Sequence, residues 1–355
     1  MNYLSPKARD IEPYTPGEQP RDREYIKLNT NENAYPPSTR VPHSIKGIYT
    51  KLRLYPDPEC TELRRAIAKH HGVAPENVFV GNGSDEVLAF AFAALVGPEG
   101  VLTTDIGYSF YPVYAELFGL NFHTVPLEED FTVPWRALIG DKTVALANPN
   151  APTSLALESG KLLEVARGLR EHGRAFIVDE AYCDFGGESM VPYINDNDNL
   201  LVVRTMSKAY SLAGMRVGYA IGAPGLIDGL NRIKNSFNSY PVDMLAQTAA
   251  RAAIEDEDYF EYTRHTIMET RDKFAEDLRA LGFDVPRSSA NFVFPAHSKV
   301  SAKVLFAALR ERGILVRYFD KPRLDNRLRI TIGTPEDMER VVLAIREILA
   351  DEGSC

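Results

Sequence analysis

Between residues 77 and 222 short apolar runs alternate with amphipathic segments, and this alternation constrains the fold more than any other feature of the chain. The predicted strands are Val78–Val80, Val101–Thr104, Phe122–Val125, Val144–Ala147, Ala175–Val178, Leu200–Arg204 and Val217–Ile221. Helical periodicity fills several of the gaps, over Asp85–Leu95, Phe110–Phe118 and Gly160–His172. Repeats of this length build an α/β layer fold around a largely parallel sheet, because parallel neighbours need a long crossover. The link between the last two strands carries no clear long helix, so an antiparallel final strand is compatible with the pattern.

After Pro241 the pattern changes. A long helical stretch over about 243–281 precedes short strands near 291–294, 314–318 and 327–332. Helices near 301–312 and 335–350 complete a smaller α+β unit. The first 53 residues have little periodicity and many Pro and Asn, which predicts loops wrapped over other surfaces. At 355 residues the chain exceeds one ordinary domain. The expected division is an N-terminal arm (1–30), a large domain (31–245) and a small C-terminal domain (246–355).

Composition narrows the function. The chain is 45% hydrophobic and 25% charged, as a globular protein is. A net charge of −9 argues against nucleic acid or an anionic membrane as the main partner. Local arginines can still reverse the field inside a cleft. No apolar run approaches the roughly 20 residues of a membrane helix, and residues 1–20 lack the apolar stretch of a signal peptide. Cys60, Cys183 and Cys355 are an odd, scattered set, which argues against a disulfide framework or zinc site and for a reducing cytoplasm.

Three motifs carry chemistry. The first is Arg204-Thr205-Met206-Ser207-Lys208-Ala209-Tyr210, followed by Gly214-Met215-Arg216-Val217-Gly218. A lysine at the end of a buried strand is placed to form an imine with a carbonyl cofactor. Ser207 and Arg216 would flank it as phosphate ligands, one a neutral donor and one a bidentate cation. A Ser-Lys pair alone is common in surface turns; the arginine between glycines eight residues on tips the balance. The second motif, Phe176-Ile177-Val178-Asp179-Glu180-Ala181-Tyr182, is an apolar strand ending in acids. Ligands of parallel sheets sit outside the carboxyl ends of strands, where Asp179 would project. A carboxylate there would keep a pyridine nitrogen protonated, and Tyr182 would donate to a phenolic ring oxygen. The third is Val78-Phe79-Val80-Gly81-Asn82-Gly83-Ser84-Asp85-Glu86, a strand, a glycine turn and a helix start whose free N–H groups suit a phosphate. It is neither a dinucleotide fingerprint nor a Walker loop.

Together with Asn31-Glu32-Asn33, these segments stand in the order and spacing of fold-type I pyridoxal-phosphate (PLP) aminotransferases, and the resemblance spans nearly the whole chain. Within that group the chain is most similar to the histidinol-phosphate aminotransferases, on Lys27-Leu28-Asn29, Arg53-Leu54-Tyr55-Pro56-Asp57 and Leu328-Arg329-Ile330-Thr331-Ile332-Gly333-Thr334. The resemblance implies a mostly parallel seven-stranded sheet flanked by helices, PLP carried on Lys208, and transamination between histidinol phosphate and 2-oxoglutarate in histidine biosynthesis. By the same token Asp179 would pair with the ring nitrogen and Tyr182 with the ring oxygen, while Tyr108 would stack on the ring. Ser84, Asp85 and Glu86, with Ser207 and Arg216, would surround the phosphate. Tyr55 would reach a partner subunit's cofactor, which implies a homodimer. Arg329, with Arg317, Tyr14 and Asn33, would hold the substrate. An aromatic or general amino-acid aminotransferase and a threonine-phosphate decarboxylase share these motifs and stay open as alternatives.

One departure stands out. The family places Asn directly before Pro-Thr-Gly, whereas this chain reads Asn148-Pro149-Asn150-Ala151-Pro152-Thr153-Ser154. Asn150, one residue early, is the candidate replacement, although a one-residue shift in extended chain turns a side chain to the other face. Elsewhere, His70-His71 reads as a solvated helix end, Glu255-Asp256-Glu257-Asp258 as a helix N-terminal charge cluster, and Trp135 as a packing residue.

Overall fold

The computed structural model describes residues 3–15 and 17–352; Cys355 lies outside them. Its centre is a seven-stranded sheet. The strands are β1 (Val78–Gly81), β2 (Val101–Thr104), β3 (Phe122–Val125), β4 (Thr143–Ala147), β5 (Phe176–Asp179), β6 (Leu200–Thr205) and β7 (Gly218–Gly222). Their spatial order is β1-β7-β6-β5-β4-β2-β3. Pairs among β2 to β6 are parallel, and β7 runs antiparallel to both neighbours. Six of the seven carboxyl ends therefore open on one edge.

The alternation of side chains along the strands explains why the sheet is covered twice. Val144, Leu146, Phe176, Val178, Leu200 and Val202 face one side and pack with Leu162, Val165 and Leu169 of Ser159–Glu171. Ala145, Ile177, Leu201 and Val203 face the other, against Gly83–Leu95, Tyr111–Phe118 and Pro224–Phe237. Each fully buried large aliphatic there contributes about 1.5–3 kcal/mol by leaving water. The helix Pro224–Phe237 lies outside the expected elements, although Leu226, Ile227, Leu230 and Ile233 recur along it at helical spacing. It forms because Ile227 and Leu230 meet the sheet-side core.

The C-terminal part holds a three-stranded antiparallel sheet, with β8 (Phe292–Val293) and β9 (Arg317–Tyr318) on either side of β10 (Leu328–Thr331). The expected long helix is two, Met244–Ile254 and Glu257–Ala280, so the acidic run straddles a break. Asp256 sits at the break and accepts from the Ser38 hydroxyl. The arm is also less loop-like than expected. Besides the short helix Pro6–Asp10, it supplies Ile26–Lys27, which pairs in parallel with Ile314–Leu315.

Two smaller expectations meet different ends. Trp135 packs against the main core and carries the Arg136 guanidinium 4.1 Å from its ring centroid. The two histidines end a helix as expected but are half-buried. His71 Nε2 lies 2.9 Å from the Tyr219 hydroxyl, and burial, helped by Arg204 and His70, pushes its pKa down to about 2.

Candidate active site

A cavity of about 620 Å³ opens where the parallel strands end, walled by the sheet, the arm and β9–β10. Ser84, Asp85, Tyr108, Asp179, Tyr182, Ser207, Lys208, Arg216, Tyr14, Arg317 and Arg329 all line it. Four expected residues do not. Glu86 turns back to accept from its own Asn82 N–H at 2.6 Å, closing the helix start, and burial raises its pKa. Asn33 donates to the carbonyls of Lys208 (2.9 Å) and Ala209 (3.2 Å), bracing the lysine loop from behind. Asn150 is buried and donates to the Ile106 carbonyl at 3.1 Å and the Thr153 hydroxyl at 3.0 Å. Tyr55 is 81% exposed and stacks on Tyr240 with centroids 4.8 Å apart.

One end of the cavity is a cradle built on the start of the helix Gly83–Leu95. Gly83 adopts φ +80°, and a side chain there would begin 2.5 Å from Arg216 Nη2. The guanidinium thus lies directly over the turn. Arg216 donates to Asp85 Oδ2 at 2.9 Å and to Ser207 Oγ at 3.4 Å, and Tyr108 donates to Asp85 Oδ1 at 2.5 Å. Asp85 therefore aims two other side chains, while the helix N–H groups, Ser207 and Arg216 remain the donors toward an anion. Gly218, in β7, lets that strand press against the Gly83–Ser84 backbone, where any Cβ would collide.

Asp179 ends β5 on the same face as Tyr111, whose hydroxyl donates to it at 3.2 Å, and the Ala181 N–H donates at 3.1 Å. Burial, and then the nearby Asp85 and Glu180, lift its carboxyl to about 7 despite those two donors. Among the described residues it forms no ion pair. A buried carboxyl facing a cavity without a cation of its own fits a protonated ring nitrogen. Lys208 Nζ donates to the Thr30 carbonyl at 3.2 Å and stands 5.8 Å from the Tyr182 ring centroid.

The other end has surplus positive charge. Arg317 and Arg329 are direct cross-strand partners, an arrangement that costs energy unless an anion is shared between them. Arg329 donates to the Asn29 carbonyl at 2.8 Å, its Nε has no partner, and burial together with Arg317 lowers its pKa. Arg317 lies 5.6 Å over the Phe319 ring and has no hydrogen-bond or ion-pair partner among the described residues. Tyr14 packs at 4.3 Å on Phe110 beside them.

Asn29 and Asn31 entered the sequence reading only as carriers of the family likeness, without a role for the loop 29–31, which touches three of these side chains. Asn29 holds Arg329, Thr30 holds Lys208, and the Asn31 amide donates to the Tyr182 hydroxyl at 2.9 Å. The signal available was three asparagines in five residues, Asn29, Asn31 and Asn33, a residue type that is bonded wherever it is buried. Tyr111 had no local signal; only the fold brings it to Asp179.

The family model described as aminotransferase class I and II matches residues 23–345. A histidinol-phosphate aminotransferase of Clostridium beijerinckii is 49% identical over 354 residues, covering 98% of each chain. Histidinol-phosphate aminotransferase 1 of Bradyrhizobium diazoefficiens is 51% identical over 356 residues, 98% of this chain and 99% of its own. Among solved structures, the Sinorhizobium meliloti histidinol-phosphate aminotransferase in complex with pyridoxal-5'-phosphate superimposes with a TM-score of 0.88 at 25% identity, over 99% of this chain and 98% of the other. A match this long, on a sheet whose open edge gathers a lysine, a buried acid and an anion cradle, makes the chain a member of the class I and II aminotransferase family.

Proposed function

We propose that the protein is a PLP-dependent transaminase that exchanges nitrogen between histidinol phosphate and 2-oxoglutarate. The observation that carries this reading is the pairing of opposite unmet charges in one cavity: a buried acid at one end and two facing arginines at the other. The acid and the Ser207–Arg216 cradle fit PLP's ring nitrogen and phosphate. Bound PLP supplies an electron sink for a carbanion at the substrate carbon that bears nitrogen.

The chain's own residues do the rest. Lys208 Nζ, freed from its carbonyl contact, would take the proton from that carbon and deliver it to the cofactor carbon on the far side of the nitrogen, which is general acid–base work. Asp179 holds the ring nitrogen protonated. Tyr108, fixed by Asp85, covers a ring face. Arg317 and Arg329 receive the phosphate of one substrate and a carboxylate of the other. Relatives near 50% identity that carry the histidinol-phosphate name favour this choice of amine.

The same reading includes a homodimer. Tyr55, Tyr49, Leu54 and Phe237 are all exposed apolar side chains of the kind a second copy covers, and Tyr55 is the residue that would reach the partner's cavity. It also includes the division into arm (1–30), large (31–245) and small (246–355) domains, and a cytoplasmic location. No helix among the described residues is long and apolar enough to cross a membrane.

The test is a half-reaction screen. The PLP-loaded protein is mixed with histidinol phosphate, phenylalanine, aspartate or threonine phosphate, and the visible spectrum is followed. Histidinol phosphate should convert the chromophore fastest. Faster conversion by phenylalanine or aspartate, or carbon dioxide release from threonine phosphate, would replace this substrate. A protein that takes up no PLP would end the reading altogether.

A further inference from the structure

The slot where the family likeness sets a ring-oxygen donor holds Ala151 here, and Ala151 contributes only apolar contact, packed with Ala290, Phe292 and the Tyr182 ring. Asn150 is committed elsewhere, to Ile106 and Thr153. Of the residues that the family likeness sets at that oxygen, Tyr182 is thus the hydroxyl left, and whether it donates or accepts there matters. A phenol has a single proton. What fixes its direction is the residue on the other side.

That residue is Asn31. It is 1% exposed and sits at φ +56°, a left-handed backbone that Asn tolerates. Its backbone N–H donates to Thr331 Oγ1 at 3.0 Å, so the threonine's own proton must go elsewhere. It goes to Asn31 Oδ1, also at 3.0 Å. With the carbonyl half of the amide pinned to Thr331, the NH₂ half faces Tyr182 and donates to its oxygen at 2.9 Å. The tyrosine oxygen is an acceptor on that side. Its proton has no acceptor among the described residues and is left for the cavity.

We infer that Asn31, locked by Thr331, is a positioning residue that makes the Tyr182 hydroxyl an obligate donor to the cofactor's ring oxygen, in place of the asparagine that Ala151 displaces. This rests on PLP being the cofactor. The charged groups facing the phenol are Lys208, from the loop after β6, and Arg329, from β10; Glu32, in the loop that follows the arm, acts on Lys208.

The test inverts the hydrogen bond. Asn31→Asp keeps the shape and tolerates the left-handed backbone, but presents two acceptors, so the Tyr182 proton turns away from the cavity. Two readouts are taken on wild type, Asn31→Asp, Tyr182→Phe and the double variant: PLP affinity of the cofactor-free protein, and the pH midpoint of the bound cofactor's visible band. Losing one donor to an oxygen that carries negative charge should weaken PLP binding roughly tenfold. It should also raise the midpoint by about one unit, equally in both single variants. The decisive sample is the double variant. If Asn31 acts through the hydroxyl, Asn31→Asp changes nothing further once Tyr182 is Phe.

An added shift of the same size in the double variant would mean that the new carboxylate acts only through its charge, and would overturn the inference. So would an Asn31→Asp protein that binds and titrates like wild type while Tyr182→Phe does not. If none of the four proteins takes up PLP, it is the cofactor reading that has failed. Thr331→Val, which frees the amide to flip without adding charge, should move both readouts in the same direction by a smaller amount; no movement would also count against the lock.

Discussion

The two ends of the cavity are built on opposite principles. At the cradle end the polar groups are already paired within the chain, Arg216 with Asp85 and Ser207, and Tyr108 with Asp85. At the arginine end the groups oppose one another, with Arg317 set against Arg329 and neither matched to an acid. A pre-paired site suits an occupant that stays, because nothing must reorganise when it binds. An unpaired site suits occupants that come and go, since each arriving anion relieves the same repulsion. Two different anionic substrates can then use one pocket in turn.

The largest effect belongs to the residue between the ends. Lys208→Ala should lower transamination at least roughly 10³-fold, with thermal unfolding unchanged. Near-normal turnover in that variant would sink the assignment of the proton shuttle. Next come the ends themselves, which should separate cleanly. Arg329→Ala should raise KM for both anionic substrates by roughly 10–100-fold, as for a lost charge-assisted contact of about 1.5–3 kcal/mol, and leave PLP affinity alone. Arg216→Ala should do the reverse. If either variant moved both quantities alike, the two ends would not be independent.

The smallest effect tests the one unmatched group of the cradle end. The raised carboxyl of Asp179 means that between about pH 4 and its value of about 7 the folded, cofactor-free protein holds a proton that the unfolded chain has lost. Its contribution to stability is therefore present below pH 4 and lost as the pH rises through 7. Unfolding temperatures of the cofactor-free protein should fall more steeply across that window in wild type than in Asp179→Asn. Parallel curves would show that the carboxyl ionises in the folded state as it does in water.

The same division separates what the sequence made legible from what it hid. The cradle was readable because each piece is local: a strand, a turn and a helix start at 78–86, a strand ending in Asp179, and a strand ending beside Lys208. Continuous apolar runs wrote the strands plainly, because both faces of the sheet are covered, and the missing crossover before Val217 was compatible with an antiparallel β7. The arginine end was reachable only through family likeness, since Arg317 and Arg329 lie in two- and four-residue strands that periodicity barely registers. The contacts of Asn29, Thr30 and Asn31 span up to about 300 positions along the chain, and no local pattern encodes a partner that far away. Glu86 and the paired histidines misled for a similar reason. Their neighbours in sequence were polar, but their neighbours in space were a helix end and the Tyr219 ring.

Gly218 sets a limit on how this protein can vary. With the Gly83–Ser84 backbone lying where its first side-chain carbon would go, the position has no room for even a methyl group. A saturation library at this codon, selected for growth in the absence of the enzyme's product, should return glycine almost alone, while codons along the exposed faces of the helices drift freely.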